Sequence, residues 1–491
     1  MTATMPSTLN ETNNAIVPSA DNDQIDTKKQ SSDAEKGQMS GNDEVDFKAA
    51  PHEEVADNIF GGEGGEGFRN MGRWDTLFAL VTNQLGLGVL SLPSCLKILG
   101  IVPGLVAIVS IGVLTWYSGI LLHKFYCKHP HVVNMVDMVA VMGGRRWEIV
   151  AAIGILVQLL MTCASSAITL SVILNTISEH AMCTVGFIGV GGLIIWLFCL
   201  PRTVKFVSQS GVPCFLSIII ASLIVIISLG VKNPTKAPED WKADIVIAAS
   251  PDFKQVFNAC LRVFFAYAGN VAYCSYMAEM RDPARDFSFG LSWLFVVSIA
   301  VYSIVAVAIY CLAGEFTTSP ALGSAPIIYA KAAYGVIIPA VLTTGLANGH
   351  IGIKYIYISV MRKLKATNEI TSSTLRSWVV WVSSASVFWT LCFILSNAIP
   401  IFDSILSISS CTTYAWTAWG ISACFWFHMN KGSYFVDLKQ MAFFALNVGL
   451  IGLTLFMNSV GLWSAISELL DSFKSGSGVR GSFDCGNNAS F

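Results

Sequence analysis

From Trp74 onward the chain is a succession of apolar stretches separated by short polar turns. They cover roughly 74–97, 101–123, 147–177, 184–200, 204–230, 255–279, 288–313, 333–361, 377–396, 400–428 and 440–469. Each reaches or approaches the ~20 residues that a helix needs to cross ~30 Å of hydrocarbon. Backbone groups cannot go unpaired in lipid, so stretches of this kind fold as helices. The expected fold is all-α: a polytopic membrane protein of about eleven transmembrane helices. Composition agrees, with 13% charged residues where a soluble domain carries about 25%. The net charge of -2 gives no sign of a nucleic-acid partner. The partner that the composition does imply is the lipid bilayer.

Two of the stretches are interrupted by glycine at corresponding places. The first reads Thr82-Asn83-Gln84-Leu85-Gly86-Leu87-Gly88-Val89-Leu90-Ser91-Leu92-Pro93, the second Phe265-Ala266-Tyr267-Ala268-Gly269-Asn270-Val271-Ala272-Tyr273. Glycine is the poorest helix former after proline, so both helices are expected to unwind inside the membrane. Unwound backbone is tolerated at that depth only where protein or a water-filled cavity meets its polar groups. One interrupted span in each half of a chain points to a secondary transporter with its substrate at the breaks.

Basic residues in short loops set the expected orientation. With the N-terminus inside, the inner loops hold Lys124, Lys128, Arg145 and Arg146, then Arg202 and Lys205, then Arg281 and Arg285. Arg362, Lys363, Lys365 and Arg376 follow, and then Lys431 and Lys439. The outer connections near 178–183 and 396–400 hold none, and the lysines of the outer loop 231–254 lie among Glu239, Asp240, Asp244 and Asp252. The N-terminus is therefore read as cytosolic and the C-terminus as extracellular. Span 1 then runs outward and span 6 inward. The two breaks, 183 residues apart (269 minus 86), have opposite polarity. This suits a five-plus-five inverted repeat with broken helices 1 and 6 and one helix added.

Residues 1–70 are polar and end in Gly61-Gly62-Glu63-Gly64-Gly65-Glu66-Gly67. They hold too little apolar surface to offset ordering entropy and read as a disordered cytosolic tail. Its Lys28, Lys29, Lys36 and Lys48 are candidate acceptors for a ubiquitin ligase, and a plain solvated tail is the alternative. Beyond it we expect a ten-helix core over 71–430, an eleventh helix over 431–470 and an extracellular tail over 471–491. The first apolar run starts too late for a secretory signal, so the first span is expected to act as its own insertion signal. Asn488-Ala489-Ser490 is a glycosylation sequon on the outer side. Most of the 13 cysteines, among them Cys163, Cys199, Cys214, Cys260, Cys274, Cys311, Cys392, Cys411 and Cys424, fall inside apolar stretches. That placement argues for packing rather than a disulfide scaffold. Metal-ligand spacing is missing, so no metal and no cofactor are expected.

Gly86-Leu87-Gly88-Val89-Leu90-Ser91-Leu92-Pro93 resembles the first-span signature of the amino acid/auxin permease family. Phe265-Ala266-Tyr267-Ala268-Gly269 resembles that family's sixth-span break. Glu279-Met280 with Pro283 and Phe287 resembles the motif closing that span, and Ile399-Pro400-Ile401-Phe402 the start of its tenth. The likeness covers roughly residues 70–465 and is nearest to neutral amino acid permeases of filamentous fungi. It implies eleven spans, a cytosolic N-terminus and the transport of neutral L-amino acids. The family often has an acidic residue after the tyrosine of the sixth-span break. Here that position is Ala268, so no carboxylate is available there.

An amino acid presents a carboxylate and an ammonium. Beyond the first break a half-helix begins near Gly88, and its free N–H groups suit the carboxylate. Gly86 and Gly88 leave no side chain between substrate and backbone. The first half of span 6 ends near Phe265 to Tyr267, where unpaired carbonyls suit the ammonium. The expected substrate-binding residues are Thr82, Asn83, Gly86, Leu87, Gly88, Phe265, Ala266, Tyr267, Ala268 and Gly269. Glycines that only allow close helix packing are the alternative. Gln158, Thr162, Ser165 and Ser166 share one side of span 3, as a second wall or as packing. Ionisable residues inside spans are functional candidates because burying them is costly. His350, after a Gly345–Gly349 bend expected in span 8, can titrate near neutral pH. It is the first candidate to carry a coupled proton, with a packing histidine as the alternative, and Asp403 is the second. Glu279 reads as an interfacial ion-pair partner of Arg281 and Arg285. The function expected is secondary import of neutral (aliphatic and aromatic) amino acids across the plasma membrane, by proton symport. A vacuolar carrier and a sensor signalling through the tail are the competing readings. A nucleotide-driven pump and an enzyme are not expected, since no Gly-x-x-x-x-Gly-Lys-Ser/Thr and no His-Glu-x-x-His occurs.

Overall fold

The computed structural model describes residues 71–202, 211–238, 240–366, 369, 374–474 and 481–488. The N-terminal tail with its four lysines, Lys205, Glu239, and Ala489 and Ser490 of the sequon lie outside the described residues. Among the described residues there is no strand, only one isolated bridge between Met71 and Met280.

The first span is two helices. Helix α1 runs over Arg73–Gln84, a 3₁₀ turn over Leu87–Ser91, and α2 over Leu92–Leu99. α1 and α2 are bent by 42° at the break. Pro93 near the start of α2 fits there because the first turn of a helix needs no N–H from it. Gly100, at φ 89°, turns the chain into α3, Ile101–Lys128. A Cβ at Gly100 would lie 2.8 Å from the Ala248 Cα, because residues 246–249 run alongside this corner. There the Ile101 N–H donates to the Val246 carbonyl and the Ala249 N–H to the Leu99 carbonyl.

Helix α4, Met135–Ser178, is capped by Asn134, whose side chain accepts the Asp137 N–H at 3.0 Å. It bends at Gly144, whose φ of 71° only glycine adopts without strain. α5 (Thr184–Cys199) and α6 (Gly211–Val231) follow. The sixth span is again broken, into α7 (Phe253–Tyr267), a 3₁₀ turn (Asn270–Ala272) and α8 (Tyr273–Glu279). Next come α9 (Pro283–Ala313), α10 (Ile327–Val336), α11 (Ile338–Lys363) and α12 (Leu375–Ala398). The tenth span is α13 (Phe402–Ser409), two π-helical turns (Ser410–Tyr414 and Trp416–Gly420) and α14 (Ile421–Met429). α15 (Leu438–Phe456), a third π turn (Met457–Gly461) and α16 (Leu462–Lys474) are the last helical elements among the described residues.

Among the described residues seven helical stretches are long and apolar enough to cross a membrane, and the bent α1–α2 pair makes eight. The remaining expected spans fall on shorter or interrupted elements: α5, the α7–α8 pair and α13–α14. Val106, Ile153, Ile227 and Ile304 stand exposed on the outside of the bundle, where lipid would cover them.

Two expectations need correction. Glycines 345 and 349 do not bend span 8, since α11 runs unbroken through both. A Cβ at Gly345 would meet Ile195 at 2.9 Å, and one at Gly349 would meet Trp389 at 3.1 Å. These glycines let neighbouring helices approach. The nine cysteines named as packing residues are free, but two others, Cys183 and Cys485, form a disulfide across 302 residues that the placement argument did not expect. The segment 481–488 lies as a strap over three helix ends. The Phe483 N–H donates to the Asn397 carbonyl of α12, and the Thr184 hydroxyl of α5 donates to the Gly486 carbonyl. Asn488 Nδ2 donates to Ser171 Oγ of α4 at 2.9 Å, and its Oδ1 accepts from Asn175. The asparagine of the sequon is thus bonded into the helices.

Candidate functional site

The two breaks cross one another. A Cβ on Gly88 would lie 2.6 Å from the Ala266 Cα and 2.9 Å from its Cβ, so only glycine fits there. Away from the breaks, the Met71 N–H donates to the Glu279 carbonyl and the Arg281 N–H to the Met71 carbonyl, tying the start of α1 to the end of α8. At the breaks, Tyr302 of α9 places its hydroxyl 2.9 Å from the Gln84 carbonyl and 2.7 Å from that of Ala266. One buried hydroxyl proton is thus shared between carbonyls that the two breaks release.

A cavity of about 70 Å³ lies at this crossing, several times the ~10–15 Å³ that one water requires. Of the expected residues, Asn83, Gly86, Leu87, Gly88, Phe265, Ala266, Ala268 and Gly269 line it, and so do Gln158, Thr162 and Ser165 of α4. Two expected residues do not. Thr82 faces Gly211 of α6, 2.9 Å from where that residue's Cβ would stand. Tyr267 is buried against Phe295 and Tyr302, at ring distances of 6.0 and 5.1 Å. Ser166 is buried behind the wall and donates to the Thr162 carbonyl.

The sequence reading missed Gln84, Leu159, Val271, Ala272, Thr344, Asn348, Ile351 and Tyr414, which also line the cavity. Gln84, Val271 and Ala272 sit within the two break motifs and were within reach. Thr344 and Asn348 are one turn apart in a helix that also holds Thr343, His350 and Lys354, a weak signal. Tyr414 gave none, because it reaches the cavity from a π turn that no 3.6-residue pattern anticipates. Its hydroxyl is 2.6 Å from Thr162 Oγ1, its ring packs edge-on against Phe265, and Thr417 donates to Gln158 Oε1 at 2.8 Å.

The polar groups on the walls are uncharged. The Val89 N–H donates to the Gly86 carbonyl at 3.4 Å. Leu87 and Gly88, at the start of the 3₁₀ turn, have no acceptor within it for their N–H groups. The carbonyls of the sixth-span break differ from expectation. Phe265 accepts the Ala268 N–H, Ala266 the Tyr302 hydroxyl and Tyr267 the Gly269 N–H. Each keeps one lone pair beyond those bonds, since a carbonyl oxygen has two.

The ionisable candidates lie elsewhere. His350 is buried and donates through Nε2 to the Pro201 carbonyl at 3.1 Å, with its ring 5.3 Å from that of Trp381. Asp403 is 2.7 Å from the guanidinium of Arg262, whose side chain is 3% exposed. Glu468 of α16 lies 3.3 Å from the same guanidinium, and Ser319 donates to Asp403. This cluster joins α7, α13 and α16 and carries two carboxylates against one cation. Glu279 faces Lys354 electrostatically, whereas Arg285, one of its expected partners, pairs with Asp286. No group of His, Cys, Asp and Glu side chains among the described residues could hold a metal.

Residues 69–467 match the model of a family described as transmembrane amino acid transporter protein. The "N amino acid transport system protein" of Neurospora crassa is 26% identical over 433 residues, 84% of this chain and 88% of the relative. A "transmembrane transporter" of Gibberella moniliformis is 24% identical over 458 residues, 93% of this chain and 94% of that one. One of the same description from Fusarium pseudograminearum is 24% identical over 463 residues, 93% of this chain and 95% of the relative. A match over most of the length, on an all-helical chain whose two broken helices enclose an uncharged cavity, places this protein in the transmembrane amino acid transporter family.

Proposed function

We propose that the chain imports neutral L-amino acids, aliphatic and aromatic, across the plasma membrane by proton symport with alternating access. The observation that carries this reading is the cavity wall, where no side chain is charged. A substrate charge beyond the zwitterion would find no counter-ion there, and desolvating it costs several kcal/mol. The free amides of Leu87 and Gly88 take the carboxylate. The spare lone pairs of the Phe265 to Tyr267 carbonyls take the ammonium. Phe265, Tyr414, Ile351, Val271 and Leu159 offer the apolar and aromatic surface for a side chain.

For coupling we favour the Arg262–Asp403–Glu468 cluster over His350. Two carboxylates on one guanidinium leave a negative charge in excess, so the cluster can take a proton without unpairing Arg262. His350 is committed to a backbone carbonyl away from the cavity. The tail over 1–70 is proposed as cytosolic and open to a ubiquitin ligase, ahead of a core over 71–430, a helix over 431–470 and an outer tail over 471–491. The basic inner loops support this orientation, and so does a disulfide at the other end of the bundle, on the face that meets an oxidising compartment.

Uptake by proteoliposomes of labelled leucine, phenylalanine, lysine and glutamate, with and without an imposed pH gradient, tests the reading. Leucine and phenylalanine should exceed the charged pair by well over tenfold, and should accumulate only with the gradient. Equal uptake of lysine and leucine sinks the substrate assignment. Glu468→Gln mimics the protonated cluster and should make uptake insensitive to the gradient while exchange persists. If that variant still responds fully and His350→Gln does not, the proton rides on His350.

A further inference from the structure

Gln84 sits where α1 stops, and its side chain is 5% exposed. It lines the cavity together with Gly86 and Gly88. Its two ends are treated differently. Oε1 accepts from the Tyr273 hydroxyl at 3.4 Å, whereas Nε2 has no partner among the described residues. A buried amide nitrogen without an acceptor is costly and rare in a native fold, and it calls for an explanation. The amide also constrains the opposite break. A Cβ on Gly269 would lie 2.5 Å from Gln84 Oε1 and 3.2 Å from Asn83 Nδ2, so the glycine of the sixth-span break is what lets this amide lie flat across it.

We infer that Gln84 is a substrate-binding residue whose Nε2 donates to the carboxylate of the amino acid. This rests on the amino acid transport reading above. Three features carry it. Gln84, Leu87 and Gly88 all line the cavity from one short segment, so their donors can serve one anion. Tyr273 has a single hydroxyl proton, and spending it on Oε1 turns the nitrogen away from α8. Gln84 is neutral, so it adds a donor without the desolvation cost of a buried lysine or arginine. Within this scheme Tyr273 is a positioning residue that orients the Gln84 amide, and Gly269 leaves room for that amide in the cavity wall.

The decisive variant is Gln84→Glu, which keeps the shape and exchanges the donor for a charged acceptor. Equilibrium binding of labelled leucine to purified, monodisperse protein should weaken about a hundredfold, since hydrogen bonds to charged groups are worth roughly ten- to a hundredfold in affinity and repulsion adds to the loss. Leucinamide, which has the ammonium and no carboxylate, should compete poorly with leucine on the wild type and relatively better on Gln84→Glu. Gln84→Met should lose about tenfold for leucine with little change for leucinamide, and because it removes polarity it provides a variant that folds if the glutamate does not. Tyr273→Phe should lower leucine affinity a few-fold and leave the amide-to-acid preference of Gln84→Glu in place. Unchanged or tighter leucine binding by Gln84→Glu would mean that the side chain accepts from the ammonium, and would overturn the assignment. Unchanged binding by Gln84→Met overturns it as well. A wild type that binds no amino acid at all fails the transport reading itself, a result separable from either variant.

Discussion

At the residue scale, glycines of one motif have unlike reasons to be there. Gly88 is fixed by the backbone of α7, because a methyl group would meet the Ala266 Cα at 2.6 Å. Gly86 has only the Thr344 hydroxyl at 3.8 Å from its would-be Cβ, an ordinary contact. The two alanine variants should therefore separate. Gly88→Ala forces the two breaks apart, an overpacking cost of about 1–3 kcal/mol. It should lower the thermal midpoint of purified protein and abolish transport. Gly86→Ala should keep the midpoint and raise KM by adding a methyl to the cavity wall. Equal midpoints for Gly88→Ala and wild type would contradict the crossing described here. The sequence reading assigned Gly88 to the approach of a carboxylate, and in the structure Gly88 also makes room for a neighbour 178 residues further along the chain (266 minus 88). Spacing within a motif reports that a helix breaks, and it cannot report what crosses the break.

At the scale of elements, the tenth span shows where hydropathy stops being informative. Ile399 to His428 reads as one apolar run, yet it contains two consecutive π turns. Widening the helix there brings Tyr414 to Thr162 and Thr417 to Gln158, both on α4. Those pairs lie 252 and 259 residues apart, so nothing local in the sequence announces them. The same holds for Tyr302, which serves both breaks from the middle of an unremarkable helix. The broken first and sixth helices were legible because glycine weakens a helix wherever it stands. Span 8 misled for the converse reason, since its glycines serve packing with Ile195, Trp389 and Phe388 and the helix survives them. Removing only the Tyr414 hydroxyl isolates the tenth-span contact. Tyr414→Phe keeps the ring against Phe265 and loses a bond worth about 0.5–1.5 kcal/mol. Membrane abundance should be unchanged, and KM for leucine should shift by up to about tenfold. A variant with unchanged KM for every neutral amino acid would place Tyr414 outside the substrate's reach.

For the whole molecule the disulfide is the most informative long-range feature, and it came from cysteines that an apolar-placement argument passed over. Cys183 and Cys485 lie outside the apolar stretches, in connections at one end of the bundle. Under the proposed orientation that end is extracellular. A membrane-impermeant maleimide should label Cys183 of Cys485→Ser on intact cells, and should label neither cysteine of the wild type before reduction. Labelling of that variant only after permeabilisation would invert the orientation.

The strap also has a place in time. Cys485 follows every described helix in the chain, and its partner precedes α5. During synthesis the Cys183 thiol must therefore wait until all the intervening described helices have been made. A chain that misses one turn through the bilayer delivers Cys485 to the wrong face, where neither the thiol of Cys183 nor Ser171 and Asn175 can receive the strap. Closure of this one bond is thus a record, written in covalent chemistry, that its two ends arrived on the same face of the bilayer.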